Sequence, residues 1–254
     1  MIARTLERAR ARGELALVAY LTAGYPSPSA WLPCLSEIAA AGADILEVGI
    51  PFSDPVADGP TIQHASSRSL AAGTTLAGVL DALAHACPAV PLCVMSYLNP
   101  LLALGNERAA LDRLAGAGVA GLVVPDLPAE ETGPWRRATA ERGLDLVGFV
   151  APTSTDARVR RAAAVSDVLY YVAVTGTTGV RHDLAPDLLP ALARLRRLTD
   201  RPVIVGFGVA HADQVRALRG RCDGVVVGSR IVEALRNEEP VAPLVLELAH
   251  AAKG

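Results

Sequence analysis

The sequence predicts an α/β chain closed into a single (β/α)8 barrel over 1–254. Three observations carry this. Short apolar runs alternate eight times with longer helical patterns, the 254 residues suit one such barrel, and no GxGxxG follows the first run. Alternation of this kind gives a parallel sheet with right-handed crossovers. Eight units in one domain-sized chain favour closure, and the missing glycine fingerprint weakens the open dinucleotide-binding sheet.

Residues 15–21 (LALVAYL) read as the first strand, continuously apolar as a strand covered on both faces must be. A helical pattern over 27–42 leads to the second strand at 44–49 (DILEVG). A Pro-rich polar loop follows, then helices over 61–73 and 75–87 and the third strand at 91–97. Helices over 107–118, 129–143, 156–165, 185–200 and 211–220 then alternate with strands at 121–126, 145–150, 167–174, 202–208 and 224–229. The last strand enters a helix at GSR, and 241–252 reads as a closing helix.

Hydrophobic residues make up 51% and aromatics only 4%, so Ala, Val and Leu must fill the interior. A net charge of -2 without charged blocks excludes a general pull toward nucleic acid or anionic membrane. An anionic ligand must then be held by local geometry. The charged stretch ERARARGELAL lacks the apolar centre of a signal peptide, and no run reaches membrane-spanning length. Cys34, Cys87, Cys93 and Cys222 form no CxxC pair and have no His at metal spacing. Free thiols in a reducing cytoplasm are expected, with no disulfide and no metal.

Chemistry in such barrels sits at the C-terminal ends of the strands. The second strand brings Glu47 there, with Asp44, Asp54 and Asp58 around it. Two carboxylates in different surroundings at one mouth suit general acid–base work. The sixth strand must turn Tyr170 or Tyr171 inward, because side chains alternate, and a Gly/Thr-rich loop follows it. The seventh strand ends in Gly206-Phe207-Gly208 and the eighth in Gly228-Ser229-Arg230. Paired glycine-rich ends of this kind hold a phosphate on backbone N–H groups and a helix N-terminus, with no lysine required. His64, His85, His211 and His250 fall on or near helices, while His182 lies in the strand-six loop.

At these residues the sequence resembles the tryptophan synthase α-subunit family. EVGIPFSDPVADGPTIQ (47–63) is similar to that family's signature almost without change. AYLTAGYP (19–26), VPDLP (124–128), YYVAVTGTTG (170–179), VGFGV (205–209) and VVGSRIV (226–232) resemble further blocks in the same order. The resemblance implies a TIM barrel that splits indole-3-glycerol phosphate into indole and glyceraldehyde 3-phosphate by retro-aldol cleavage, with no cofactor. It implies Glu47, Asp58 and Tyr170 as catalytic residues. It implies Tyr20, Ile62, Met95 and Tyr97 along the indole pocket, and Gly179, Gly208, Gly228 and Ser229 at the phosphate. The loops at 50–60 and 175–186 match mobile lids. The implied partner is a tryptophan synthase β subunit, in an α2β2 heterotetramer. The strand-six lid departs from the family's SxTGVTG: here it runs Ala173-Val174-Thr175-Gly176-Thr177-Thr178-Gly179.

A stand-alone lyase releasing free indole would share this site and is the alternative reading. Barrel isomerases of histidine or tryptophan biosynthesis share the phosphate half but lack the IPFSDPxADGP block. A non-catalytic activator of a β partner has no use for Glu47, Asp58 and Tyr170.

Overall fold

The computed structural model describes residues 1–86, 88–172, 184–206 and 208–254. Among them, eight parallel strands pair in chain order and the last returns to the first, closing a barrel. The strands are β1 (Ala16–Thr22), β2 (Ile45–Gly49), β3 (Leu92–Met95), β4 (Gly121–Val123), β5 (Asp145–Val150), β6 (Val168–Val172), β7 (Val203–Gly206) and β8 (Gly224–Val227). Each lies inside the run that predicts it or within a residue of it. The third, fourth and eighth stop short of the predicted ends. Tyr97 already caps a short helix, Pro125 follows closely on β4, and Ser229 opens a helix. The last two predicted residues of strand six, and Phe207 of strand seven, lie outside the described residues.

Period-two alternation divides the strand side chains into two cores. Ala16, Val18, Tyr20, Ile45, Cys93, Val147, Val168, Tyr170, Ile204 and Val226 point into the barrel. Leu17, Leu21, Leu46, Val48, Val94, Leu146, Leu169, Tyr171, Val205 and Val227 point out against the helices. Tyr170 is therefore the inward member of the tyrosine pair.

The helices of the outer layer are α2 (Trp31–Ala40), α3 (Pro60–Ala71), α4 (Leu76–Ala86), α5 (Leu98–Leu102), α6 (Glu107–Gly116), α7 (Thr132–Glu141), α8 (Asp156–Val165), α9 (Leu188–Leu198), α10 (Ala212–Leu218), α11 (Ser229–Arg236) and α12 (Val241–Lys253). Pro60 begins α3, where its missing N–H costs no hydrogen bond. The five-residue α5 has no counterpart in the sequence reading.

Nor does α1 (Ile2–Ala11). The stretch is rich in charge, yet Ile2, Leu6 and Ala9 share one helical face and are buried in the inner core. The helix stoppers the N-terminal end of the barrel. Gly121 and Gly224 leave the space that Ile2 and Leu6 occupy, since a Cβ on either would stand 2.6 and 2.8 Å from those side chains.

The same end is fastened by aspartates at the strand starts. The Asp44, Asp167 and Asp223 N–H groups donate to the carbonyls of Leu17, Leu146 and Val203. Their carboxylates accept the N–H groups of those same residues at 2.9, 3.0 and 2.6 Å. Each carboxylate also meets a cation: Lys253 at 3.3 Å, Arg136 at 2.7 Å and Arg196 at 2.6 Å. Asp44, grouped with Glu47 in the sequence, thus serves the opposite end of β2.

Asp223 is wholly buried, so its loss strands a backbone donor and leaves Arg196 without its partner. Asp223→Ala is expected to cost about 3 kcal/mol in urea unfolding. Asp81→Ala, which removes the exposed partner of Arg113, should stay within about 1 kcal/mol. Equal effects of the two substitutions would contradict the fastening role.

Candidate active site

The strands' C-terminal ends and the loops after them enclose a cavity of about 70 Å³ that opens to solvent at its mouth. Tyr20, Glu47, Asp58, Ile62, Met95, Tyr170, Gly208, Gly228 and Ser229 all line it. Gly179, His182 and most of the 175–186 lid lie outside the described residues. Tyr97 stands behind Asp58, outside the cavity wall.

Glu47 is the inward residue in the middle of β2, level with Tyr20 on β1 and Cys93 on β3. It is 1% exposed. Burial, and then the charge of Asp58, push its carboxyl up to about 8. Both effects penalise the charged form, so Glu47 holds its proton at neutral pH. Asp58 sits one residue before the end of the β2–α3 connection and is only half-buried. Burial raises its carboxyl to about 6, against a lowering hydrogen bond from Tyr97. The Gln63 side chain holds the Asp58 carbonyl at 2.8 Å. At pH 7 the mouth therefore presents one protonated and one ionised carboxyl.

Two phenols close the sides. A Cβ at Gly49 would overlap the Tyr20 ring and hydroxyl, and one at Gly206 would overlap those of Tyr170. In each case the glycine at the end of the neighbouring strand leaves room for the phenol to lie across it. The Tyr20 hydroxyl meets Thr22 Oγ1 at 3.3 Å. Tyr170 stacks on Phe149, with centroids 5.1 Å apart and ring planes at 27°. Both phenols stay protonated: burial raises each well above the ordinary value, and the neighbouring carboxylates add to that.

On the far side, Gly208 adopts φ +97°, a left-handed conformation that favours glycine. Gly228 and Ser229 begin α11, whose N-terminal N–H groups have no helical acceptor. Such a helix start attracts an anion. Gly59, Val209, Ala210, Val226 and Arg230 also line the cavity and were not singled out from the sequence. Arg230 stood in the quoted GSR, and Val209 and Ala210 directly follow Gly208. The motif signal reached them, while their orientation depends on packing. The Arg230 guanidinium pairs with Glu239 at 2.8 Å.

No helix among the described residues is long and apolar enough to cross a membrane. Residues 6–250 match the family model described as tryptophan synthase alpha chain. The tryptophan synthase alpha chain of Carboxydothermus hydrogenoformans is 44% identical over 239 residues, covering 93% of this chain and 89% of that protein. That of Gloeobacter violaceus is 44% identical over 243 residues, with 94% and 88% covered. Among solved structures, a Mycobacterium tuberculosis tryptophan synthase chain superposes with a TM-score of 0.91 at 35% identity, covering 100% of this chain and 98% of that one. The alpha subunit from Legionella pneumophila gives 0.88 at 29% identity, with 99% and 97% covered. On a match that runs through every strand of the barrel, the chain belongs to the tryptophan synthase alpha chain family.

Proposed function

We propose the division of labour by which this alpha chain, a carbon–carbon lyase, cleaves indole-3-glycerol phosphate. The observation that carries it is two carboxyls of unequal burial lining one cavity, Glu47 buried in the strand wall and Asp58 half-buried on the loop, so that burial raises Glu47 further than Asp58. Indole carbon is a poor leaving group until C3 is protonated. Protonated Glu47 delivers that proton. Anionic Asp58 accepts a hydrogen bond from the indole N–H and offsets the positive charge that forms on the ring. The Glu47 carboxylate then takes the proton of the side-chain hydroxyl next to the breaking bond. The C–C bonding electrons return to the ring and restore indole, the hydroxyl carbon becomes the aldehyde of glyceraldehyde 3-phosphate, and Glu47 is protonated again.

Tyr20, Ile62, Met95 and Tyr170 form the apolar wall for the ring. Gly208, Gly228 and Ser229 hold the phosphate through backbone N–H groups, with Gly179 assigned to the same task from the sequence. Residues 1–254 act as one domain, since β1 and β8, from opposite ends of the chain, pair to close the barrel. The cytoplasm is the proposed compartment, and the free thiols of Cys34, Cys93 and Cys222 fit its reducing conditions. The proposed partner is a tryptophan synthase β subunit in an α2β2 heterotetramer. Val56, 85% exposed on the loop that carries Asp58, supplies an apolar contact for it.

Glu47→Gln should lower indole release by at least the roughly 100-fold typical of an acid–base residue. It should also raise stability. Native Glu47 binds its proton more tightly than the unfolded chain does, with about 8 against a model value of 4.5. Its stabilising contribution is therefore complete below 4.5 and is lost as pH rises toward 8. The Gln variant lacks that decline. Urea midpoints of the two proteins should diverge with pH, and parallel curves would refute the burial argument.

Cleavage needs Asp58 ionised and Glu47 protonated. The kcat/KM profile, which reports the free enzyme, should be a bell with its acid limb near 6 and its alkaline limb near 8. An alkaline limb that survives in Glu47→Asp at the same position would point to another acid.

Titrating in a cognate β subunit should raise turnover, because a partner that binds the closed loop more tightly shifts the loop toward closure. Val56→Asp should weaken that response and leave unassisted cleavage intact. High activity unchanged by the β subunit would favour the stand-alone lyase.

A further inference from the structure

We infer that Tyr97 is a positioning residue for this reaction: its hydroxyl latches the loop after β2 to the end of β3 and sets the Asp58 carboxylate. The inference rests on the role proposed for Asp58. It comes from how one side chain meets that loop. The Tyr97 oxygen accepts the Ala57 N–H at 3.0 Å. The hydroxyl proton is thereby left free to turn toward the carboxylate of Asp58, the next residue along the loop, and Tyr97 lowers the Asp58 carboxyl. The ring stacks on Phe52 of the same loop, with centroids 5.1 Å apart and planes at 30°. Two loop residues, Phe52 and the Ala57 that precedes Asp58, are thus tied to one phenol.

The phenol itself is fixed from the other side. The Ser96 N–H donates to the Val123 carbonyl at 3.0 Å. The Leu98 N–H donates to the Asp126 carboxylate at 3.0 and 3.2 Å. Backbone on both sides of Tyr97 is therefore fastened to β4 and the loop beyond it. Tyr97 is 2% exposed, yet it does not line the cavity that Asp58 lines. It touches the loop and acts through Asp58.

The groups that face Asp58 are Glu47 on β2, Tyr20 on β1, Tyr170 on β6 and Tyr97 itself, and Asp126 bears on Tyr97. Among the described residues the hydrogen bond from Tyr97 is what offsets burial at Asp58. A hydrogen bond to the ionised form favours that form. Without it the Asp58 carboxyl rises, and the acid limb of the profile moves to higher pH.

Tyr97→Phe keeps the ring and its stack and removes only the hydroxyl. Indole release from indole-3-glycerol phosphate should be measured against pH for the intact chain, Tyr97→Phe, Asp58→Asn and the double variant. The expected result is a fall in kcat of about tenfold, the scale of a lost hydrogen bond to a charged group. KM should change little, the acid limb should move up by about one unit, and the double variant should be no slower than Asp58→Asn alone. A raised KM with kcat unchanged would make Tyr97 a substrate contact and overturn the inference. So would a fall in kcat with the acid limb unmoved. If Asp58→Asn is itself near normal, the proposed role of Asp58 fails. If Asp58→Asn is inactive and Tyr97→Phe is normal, the latch alone fails.

Discussion

A carboxyl buried in the wall of a barrel, with an anion beside it and, among the described residues, no cation to meet it, is the constraint on which the rest of this molecule turns. Among the described residues Glu47 has Tyr20, Cys93 and Tyr170 for neighbours rather than Arg or Lys. A basic partner would ionise it and remove the acid that the indole ring requires. The cost falls on stability, since a polar group taken from water without full compensation opposes folding. The barrel carries that cost because its two apolar cores, inside and outside the strands, are extensive.

The two ends of the barrel divide the work. At the N-terminal end, α1 fills the opening and the Asp44, Asp167 and Asp223 carboxylates tie the starts of β2, β6 and β8 to their neighbours. These contacts join residues far apart in sequence and leave little freedom. At the C-terminal end, glycines replace side chains at Gly49, Gly206 and Gly228, and phenols and loop backbone fill the space. Rigidity below lets the mouth be built from loops without losing the placement of Glu47.

Much of this was legible in the sequence, for reasons that differ by element. The strands were readable because a parallel sheet covered on both faces leaves continuous apolar runs. Periodicity left the choice between Tyr170 and Tyr171 open, since it gives two registers; the family resemblance picked Tyr170, and packing turns that residue inward. The helix α1 was hidden by its charge, although Ile2, Leu6 and Ala9 recur at helical spacing. The five-residue α5 carries Pro100 and is too short for a periodic signal. Glu47 and Asp58 stood out through a motif, but the direction of the Tyr97 hydroxyl, toward the loop rather than the cavity, is fixed by contacts with Ala57 and Phe52 that no local pattern encodes.

The protonation of Glu47 at neutral pH is the claim most open to direct measurement. Carbon-13 labelling of the glutamate side chains, with Glu47→Gln to assign the resonance, would allow its titration to be followed in the ligand-free protein. The account predicts one glutamate carboxyl titrating near pH 8, absent from the Gln variant. A Glu47 resonance titrating at the ordinary carboxylate value, near 4.5, would contradict it.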